Sequence, residues 1–441
     1  MSSRNLKMRR RRELPFELVV EILTRVPVKD LMRFRCVCKS WRSLFKEERF
    51  CRQHMTRAPT RIVSFHFEDT LLLGRFSESA KPEMMILEEV SVNVGDDSSL
   101  LNDTTVVLGH CHGLFCLYFE NNTFGLWNPS LRELRTIHPP YRYNWYEMGF
   151  GYDHSSQDYK IVLVLKMQGR RSRSSQALVL SLKSGVSRMI NCLCLENFDM
   201  IHDTISGTLV GETIYWQLCD DNVKVTDKLL SFDLVSETFN LCPCPSNCGK
   251  GLPQVIAGLR GGGLCIVGVD DMSGGLIVWS AQHDGGGGIK SWSKICNLSL
   301  GILEISASCR IDDKIWLSSA VTYAGLLLAL VKFGRESKLL SQHDGGGGIK
   351  SWSKICNLSL GILEISASCR IDDKIWLSSA VTYAGLLLAL VKFGRESKLL
   401  SYNLEEKSLT NVETSLSLST CDFLETYVET LVPVPIPEWK L

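Results

Sequence analysis

The chain has 441 residues, 45% of them hydrophobic, enough for a sizeable core and for more than one domain. Its 49 basic and 48 acidic residues nearly cancel, which argues against nucleic acid or an acidic membrane surface as a partner along the whole length. The balance is uneven: residues 1–60 carry 16 Lys and Arg against 6 Asp and Glu, a net +10 that leaves −9 on the remainder of a chain totalling +1. A basic head on a mildly acidic body points to an acidic partner for the head.

The opening MSSRNLKMRRRRE is charged throughout and no apolar run follows it, so no signal peptide is expected. The most apolar later stretch, AGLLLALV at 324–331, is far short of the ~20 residues that cross a bilayer. Seventeen cysteines, an odd number without framework spacing, read as reduced thiols of a cytoplasmic or nuclear protein. The run Lys7, Arg9, Arg10, Arg11 and Arg12 within a basic tail (1–13) serves equally as a nuclear signal or a solvated head.

Residues 14–46 are helical in pattern. Pro15 stands where a helix starts, and Leu14, Leu18, Ile22 and Val26 recur every four residues, with Val19 and Leu23 widening the face. Pro27 closes that helix. Asp30 is expected to cap the next, which carries Leu31, Phe34, Val37 and Cys38, and a last turn or two carries Trp41, Leu44 and Phe45. Three short helices cannot bury all these groups among themselves, so part of the apolar face is expected to meet another protein.

The run LPFELVVEILTRVPVKDLMRFRCVCKSWRSL (14–44) resembles the F-box, with Leu14-Pro15, Leu18, Ile22-Leu23, Pro27, Leu31, Val37-Cys38 and Trp41 in signature positions. The resemblance implies an F-box domain over 14–55 whose residues Leu14, Pro15, Leu18, Ile22, Leu23, Pro27, Leu31, Val37, Cys38 and Trp41 bind a Skp-type adaptor and, through it, cullin. Residues 14–45 are expected to suffice for that contact.

From residue 60 the hydrophobic period changes from 3.6 to 2. RIVSFHF (61–67), GLFCLYF (113–119), KIVLVL (160–165), TIYWQL (213–218), LLSFDL (229–234) and DKIWLSS (313–319) predict short strands. Asn121-Asn122, Asn128-Pro129, Ser206-Gly207 and Gly261-Gly262-Gly263 predict turns between them. So many short strands suit one large all-β, propeller-like domain over 60–432, followed by a C-terminal tail at 433–441. Trp127, Tyr152, Trp216 and Trp292 are expected to be core residues. The segments GHCHGLFCLYF (109–119), LWNPSLRE (126–133), GFGYDHSSQDYKIV (149–162), LLSFDLVSETF (229–239) and YVETLV (427–432) resemble the kelch-like, F-box-associated domain common in plant F-box proteins.

Residues 282–341 recur unchanged at 342–401. Natural blades drift, so this identity reads as an error of gene prediction or assembly in preference to a recent duplication, and two unequal copies are expected, one seated in the ring and the other packing more loosely or enlarging the ring.

No catalytic constellation stands out. His110, Cys111, His112 and Cys116 lie in a strand whose alternation explains them, and Cys242, Cys244 and Cys248 lack a second close pair, so no metal is expected. The glycine runs at 285–288 and 345–348 precede Ile-Lys-Ser, which breaks the phosphate-loop spacing, and read as hairpin tips. The expected function is therefore non-catalytic and cofactor-free: substrate recognition within a Skp–cullin–F-box ubiquitin ligase, with an unidentified target protein on the β domain. A non-degradative scaffold and, more remotely, a propeller enzyme are the alternatives.

Overall fold

The computed structural model describes residues 14–66, 70–76, 84–91, 105–119, 123–140, 145–166, 175–192, 198–200, 206–220, 228–245, 255–258, 263–269, 276–283, 289–298, 315–323, 326–333, 336–343, 352–358, 375–383, 386–393, 396–403, 408–414, 421–435 and 437–439. Four short helices open it: α1 Phe16–Leu23, α2 Val28–Phe34, α3 Lys39–Leu44 and α4 Glu48–Met55. The expectation of three helices thus misses α4, a polar segment in which Phe50, Cys51 and His54 alone turn fully inward. Nor does Asp30 cap α2. Pro27 holds that position, its carbonyl accepting from the amides of Asp30 and Leu31, while Asp30 sits in the first turn and pairs with Arg33.

Strands then come in groups of four. The first group is β1 Thr60–His66, β2 Thr70–Phe76 and β3 Met84–Ser91, with its fourth place left for the end of the chain. The second is β4 Val106–Cys111, β5 Leu114–Phe119, β6 Thr123–Asn128 and β7 Glu133–Ile137. The third is β8 Trp145–Asp153, β9 Asp158–Lys166, β10 Ser175–Ser181 and β11 Val186–Cys192. In the fourth, β12 Phe198–Met200 and β13 Thr208–Val210 share one edge of β14 Thr213–Asp220, followed by β15 Lys228–Asp233 and β16 Thr238–Pro243. The fifth is β17 Val255–Gly258, β18 Leu264–Val269, β19 Leu276–His283 and β20 Ile289–Leu298. The sixth is β21 Ile315–Tyr323, β22 Leu326–Phe333, β23 Glu336–His343 and β24 Trp352–Leu358. The seventh is β25 Ile375–Tyr383, β26 Leu386–Phe393, β27 Glu396–Asn403 and β28 Ser408–Thr414, after which β29 Cys421–Val428 returns to pair with β1 and complete the first.

Each group is an antiparallel blade, and leading strands of successive blades touch in the order β4, β8, β13, β17, β21, β25, β29. The circuit closes where Val63 and Tyr427 of the first blade pack on Phe115, Phe119 and Trp127 of the second. This is a propeller whose first blade is built from both ends of the β domain, so the closure is a seven-residue antiparallel ladder. A short parallel pairing, Glu413 with Met84 and Thr414 with Met85, also joins the outer edges of the last and first blades.

The core lies between blades. Leu108, Leu114, Cys116, Phe124 and Leu126 face Met148, Phe150, Tyr152, Ile161 and Leu163 across the second and third. Val162, Val164 and Val179 face Ile214, Trp216, Leu230 and Phe232 across the third and fourth. The approach there is close: a Cβ on Gly149 would stand 2.8 Å from Ile214 and 2.9 Å from Trp216. Trp127, Tyr152 and Trp216 are buried as expected, and Trp216 donates its indole N–H to the Met148 carbonyl at 3.0 Å. Trp292 is half-buried and donates to the Pro243 carbonyl.

The repeat is one blade long and one strand out of frame with the blades. Each copy supplies the outer strand of the preceding blade (β20 or β24) and then three strands of the next (β21–β23 or β25–β27). Over β21–β23 and β25–β27 the two copies have the same strand ladders, Ile315 opposite Phe333 matching Ile375 opposite Phe393, with the same register shift between Leu317 and Ser319 as between Leu377 and Ser379. The expected inequality is therefore not found in strand pairing. The side chains of Trp316 and Trp376, which would test burial, lie outside the described residues, as do both glycine runs. The described strands on either side of the runs, β19 with β20 and β23 with β24, pair antiparallel.

Candidate functional site

The helical head has two apolar faces with different fates. Leu23, Val28, Leu31, Leu44, Phe45, Phe50 and Cys51 form an interior that Leu431, from the chain's far end, completes, with Leu131 and Val432 packed against it. The other face of α1 has no such cover: Leu14 is 62%, Phe16 48%, Leu18 50% and Ile22 54% exposed, and Val37, after α2, is 62% exposed. Leu14, Leu18 and Ile22 are four residues apart and so share one stripe. Pro15, Pro27 and Cys38 are also exposed, while Trp41 is half-buried between Phe34 and Phe45, at centroid distances of 5.9 and 6.5 Å.

Of the ten candidate residues, Leu23 and Leu31 do not belong to this surface. At 2% and 0% exposure they are interior supports of the head, because α1 and α2 turn those positions toward α3, α4 and Leu431. Phe16 is the surface residue that spacing missed: it falls outside the four-residue stripe but its ring is nearly half exposed. Nor are residues 14–45 self-contained, since α4 and Leu431 supply part of their interior.

Several contacts hold the head on the propeller. Glu429 accepts from the Val28 amide at 3.3 Å and pairs with Arg61 at 2.7 Å. Arg52 of α4 donates to the Tyr152 hydroxyl at 2.9 Å, and Lys183 lies 3.7 Å from Glu48. Residues beyond Val432 continue this strap: Val434 is buried between the second and third blades, and Trp439 donates to the His138 carbonyl at 2.8 Å.

Three of the family-like segments carry turns that a side chain closes, and the one at Asn128 lies against this strap. Asn128 accepts from the amides of Ser130 and Leu131 and donates to the carbonyls of Thr430 and Val432. Asp153 accepts from the amides of Ser155 and Ser156, and Asp233 from those of Val235 and Ser236. In all three places a short polar side chain closes its own turn. His112 and Gly113, at φ 52° and 75°, form the tight turn of GHCHGLF, and a Cβ on Gly113 would stand 2.4 Å from the Val428 carbonyl.

Two titratable groupings remain. His112 lies against Tyr152, His154 and Tyr159. Burial first, then the charges of His154 and Arg52, pulls His112 down to about 4, so it is neutral near pH 7. Lys160 is buried and donates to Asp153 at 2.8 Å and the Leu234 carbonyl at 2.6 Å, with Glu237 also at 2.8 Å. Burial would raise the Asp153 carboxyl, but Lys160 and the Ser156 hydroxyl and amide together hold it at about 2. Both groupings lie within or between blades, where they fasten the architecture. No set of three His, Cys, Asp or Glu side chains among the described residues converges as metal ligands would. Leu114 and Cys116 are buried on one strand face as their alternation implied, Cys242 lies 3.5 Å from the Ser231 hydroxyl, and Cys248 is outside the described residues.

Comparison with known proteins agrees with this division. Residues 12–53 match the F-box domain, and residues 54–325 match the F-box associated beta propeller domain. An F-box/kelch-repeat protein of Arabidopsis thaliana is 28% identical over 310 residues, covering 65% of this chain and 79% of its own length. Another F-box protein of that plant is 30% identical over 243 residues, covering 52% of this chain and 69% of its own. A protein of known structure from Lactobacillus plantarum shares the fold alone, with a TM-score of 0.52 at 8% identity over 84% of this chain and 99% of that one. A head of F-box helices, a blade closed by both ends of the β domain and family motifs at the seam between them lead to one assignment: the chain belongs to the family of F-box proteins that carry an F-box associated β-propeller.

Proposed function

We propose that this protein is the substrate-recognition subunit of a Skp–cullin–F-box ubiquitin ligase, binding the adaptor through its head and a target protein through its propeller. The observation that carries the reading is the exposed apolar surface of the head, the stripe of Leu14, Leu18 and Ile22 together with Phe16 and Val37, above an interior that is packed. Water-exposed side chains of this size on one small face are costly unless a partner removes them from solvent. Pro15, Cys38 and Trp41 border the stripe. Leu23 and Leu31 hold it from beneath.

The chain's contribution on this reading is proximity. Docking of the head places the propeller and its bound target beside the ligase's ubiquitin-loaded enzyme, raising the effective concentration of a target lysine without chemistry from this chain. Because Glu429, Arg52 and Leu431 hold the head on the propeller, the target's position relative to the adaptor is set by packing rather than by a tether.

The test is capture of a purified Skp-type adaptor by the full chain. Replacing Leu14 and Pro15 together by alanine should cost on the order of 2–4 kcal/mol of binding. Adaptor capture by that variant at wild-type affinity would overturn the assignment of the face. Capture of the adaptor without cullin would point to a scaffold outside the ligase.

A further inference from the structure

We propose that the junction of the second and third blades is a binding site for proline-alternating peptide segments, occupied in the resting chain by its own residues 433–439, and that a target segment of the same chemistry replaces them. The second half rests on the target-binding reading above.

The segment reads Pro433, Val434, Pro435, Ile436, Pro437, Glu438, Trp439. Prolines at every second position fix φ and remove three amide donors, so such a run is extended, joins neither helix nor sheet and is cheap to order. Up to Val432 the chain is held by its main chain, since Asn128 donates to the carbonyls of Thr430 and Val432. From Pro433 to Trp439 no main-chain hydrogen bond occurs among the described residues, and side chains do the holding. Val434 is 5% exposed, within the apolar cluster that Ile137 of the second blade and Leu182 of the third share. Trp439 packs against the same cluster and donates its indole N–H to the His138 carbonyl at 2.8 Å. Pro435 and Pro437 between these anchors are half-buried, while Pro433 and Glu438 face water.

The junction is shaped for a chain passing over it. Gly185, at φ 67° in the turn between β10 and β11, is buried, and a Cβ there would collide with the Glu438 carbonyl. Apolar and aromatic anchors, alternate prolines and an absence of main-chain bonding are the terms on which proline-rich peptides are recognised. The segment is also separable from the architecture. The ring closes on β29, which ends at Val428, and Leu431 is the last buried residue of the head interior. A competing segment that supplies the same anchors can therefore take its place with both left intact.

The probe is a fluorescent decapeptide of sequence VPVPIPEWKL, residues 432–441, titrated by anisotropy into the full chain. A full-length variant carrying Val434→Asp and Trp439→Ala should bind it at least about tenfold more tightly than wild type, because the tethered segment competes at an effective concentration on the order of millimolar. Trp439→Ala alone, which leaves Val434 in place, should show a smaller gain and carries the test if the double variant fails to fold. Decapeptides with the tryptophan or all three prolines replaced by alanine should bind at least about tenfold more weakly. Gly185→Asn, which tolerates positive φ but adds a Cβ, should abolish binding to the tail variants while leaving their thermal melts unchanged. No binding to a folded tail variant, binding equal to wild type, or binding indifferent to Gly185→Asn overturns the site. A wild-type dimer that Trp439→Ala dissolves would place the segment on a second copy and overturn its occupancy in the same chain. For the second half, a lysine-bearing carrier protein fused to the decapeptide should be ubiquitylated by the assembled ligase at least about tenfold faster with the tail variant than with wild type. Equal rates, with the peptide bound, overturn target recognition at this junction. A chain that assembles no ligase overturns the reading above and the second half with it, while the titrations still decide the site.

Discussion

Lys160 gives the sharpest test of how this propeller is held together. Its ammonium is 4% exposed and serves two blades, bonding Asp153 of the third and the Leu234 carbonyl and Glu237 of the fourth. Replacing Lys160 by methionine keeps the stem and removes the charge. Asp153, at 3% exposure, then loses its counter-ion, and the Leu234 carbonyl loses its donor. Breaking a buried pair from one side costs about 3–5 kcal/mol. The lower end applies here, because Glu237 keeps Arg188 at 2.7 Å and Asp153 keeps the Ser155 and Ser156 donors. The expected loss is therefore about 3 kcal/mol, read from the shift in urea midpoint at constant slope. Adding Asp153→Asn to the methionine variant removes the orphaned charge and should recover at least about 1 kcal/mol. The pH dependence supplies a second reading. Asp153 is held at about 2, below its unfolded value of 3.8, so its contribution is present above about pH 4 and disappears as pH falls toward 2. The methionine variant should lose that acid-side slope. A variant within about 0.5 kcal/mol of wild type, or a double variant no more stable than the single, would show that Lys160 is not what joins these blades.

Three further outcomes are expected. Glu147 is 3% exposed, its Oε2 has no hydrogen-bond partner, and burial lifts its carboxyl to about 9. With the folded value raised above the unfolded one, the contribution of Glu147 should be most favourable below about pH 4.5 and be lost as pH rises toward 9; Glu147→Gln should flatten that alkaline-side slope in thermal melts and gain at least about 1 kcal/mol at pH 8, and an unchanged slope refutes the assignment. Trp216→Ala should cost roughly 3–5 kcal/mol in chemical denaturation, since it removes a large interblade ring and one of the two donors to the Met148 carbonyl, the Gly207 amide remaining, and an unaltered transition would place the ring outside the core. Excising residues 342–401 should leave a soluble, cooperatively melting propeller with one blade fewer, because β23 then meets β28 as β27 does now; aggregation of that variant on size-exclusion chromatography would contradict the frame of the repeat.

Local pattern carried much of this architecture. Leu14, Leu18 and Ile22 declared a helical stripe through spacing alone, and the alternation in 113–119, 160–165 and 213–218 declared strands, because side-chain periodicity is a property of a few consecutive residues. The same local logic placed the turn at Asn128-Pro129 but not the one expected at Ser206-Gly207, where Ser206 bridges Met148 and the turn falls at Gly211-Glu212, and the F-box signature named the head. Tertiary structure alone decided which apolar residues were spare. Leu18 and Leu23 look alike in the pattern, yet one is half exposed and the other buried, since burial depends on what arrives from elsewhere in the chain, here α4 and Leu431. Distance in sequence hid the closure in the same way: β1 and β29 are joined by pairing across more than 350 residues, which no window of the sequence can contain. The repeat shows the limit most plainly. Its identity was visible at once, but its meaning depended on where its boundaries fall within a sheet. Because each copy begins with the outer strand of one blade and ends inside the next, adding it lengthens the ring by a whole blade and leaves every strand paired.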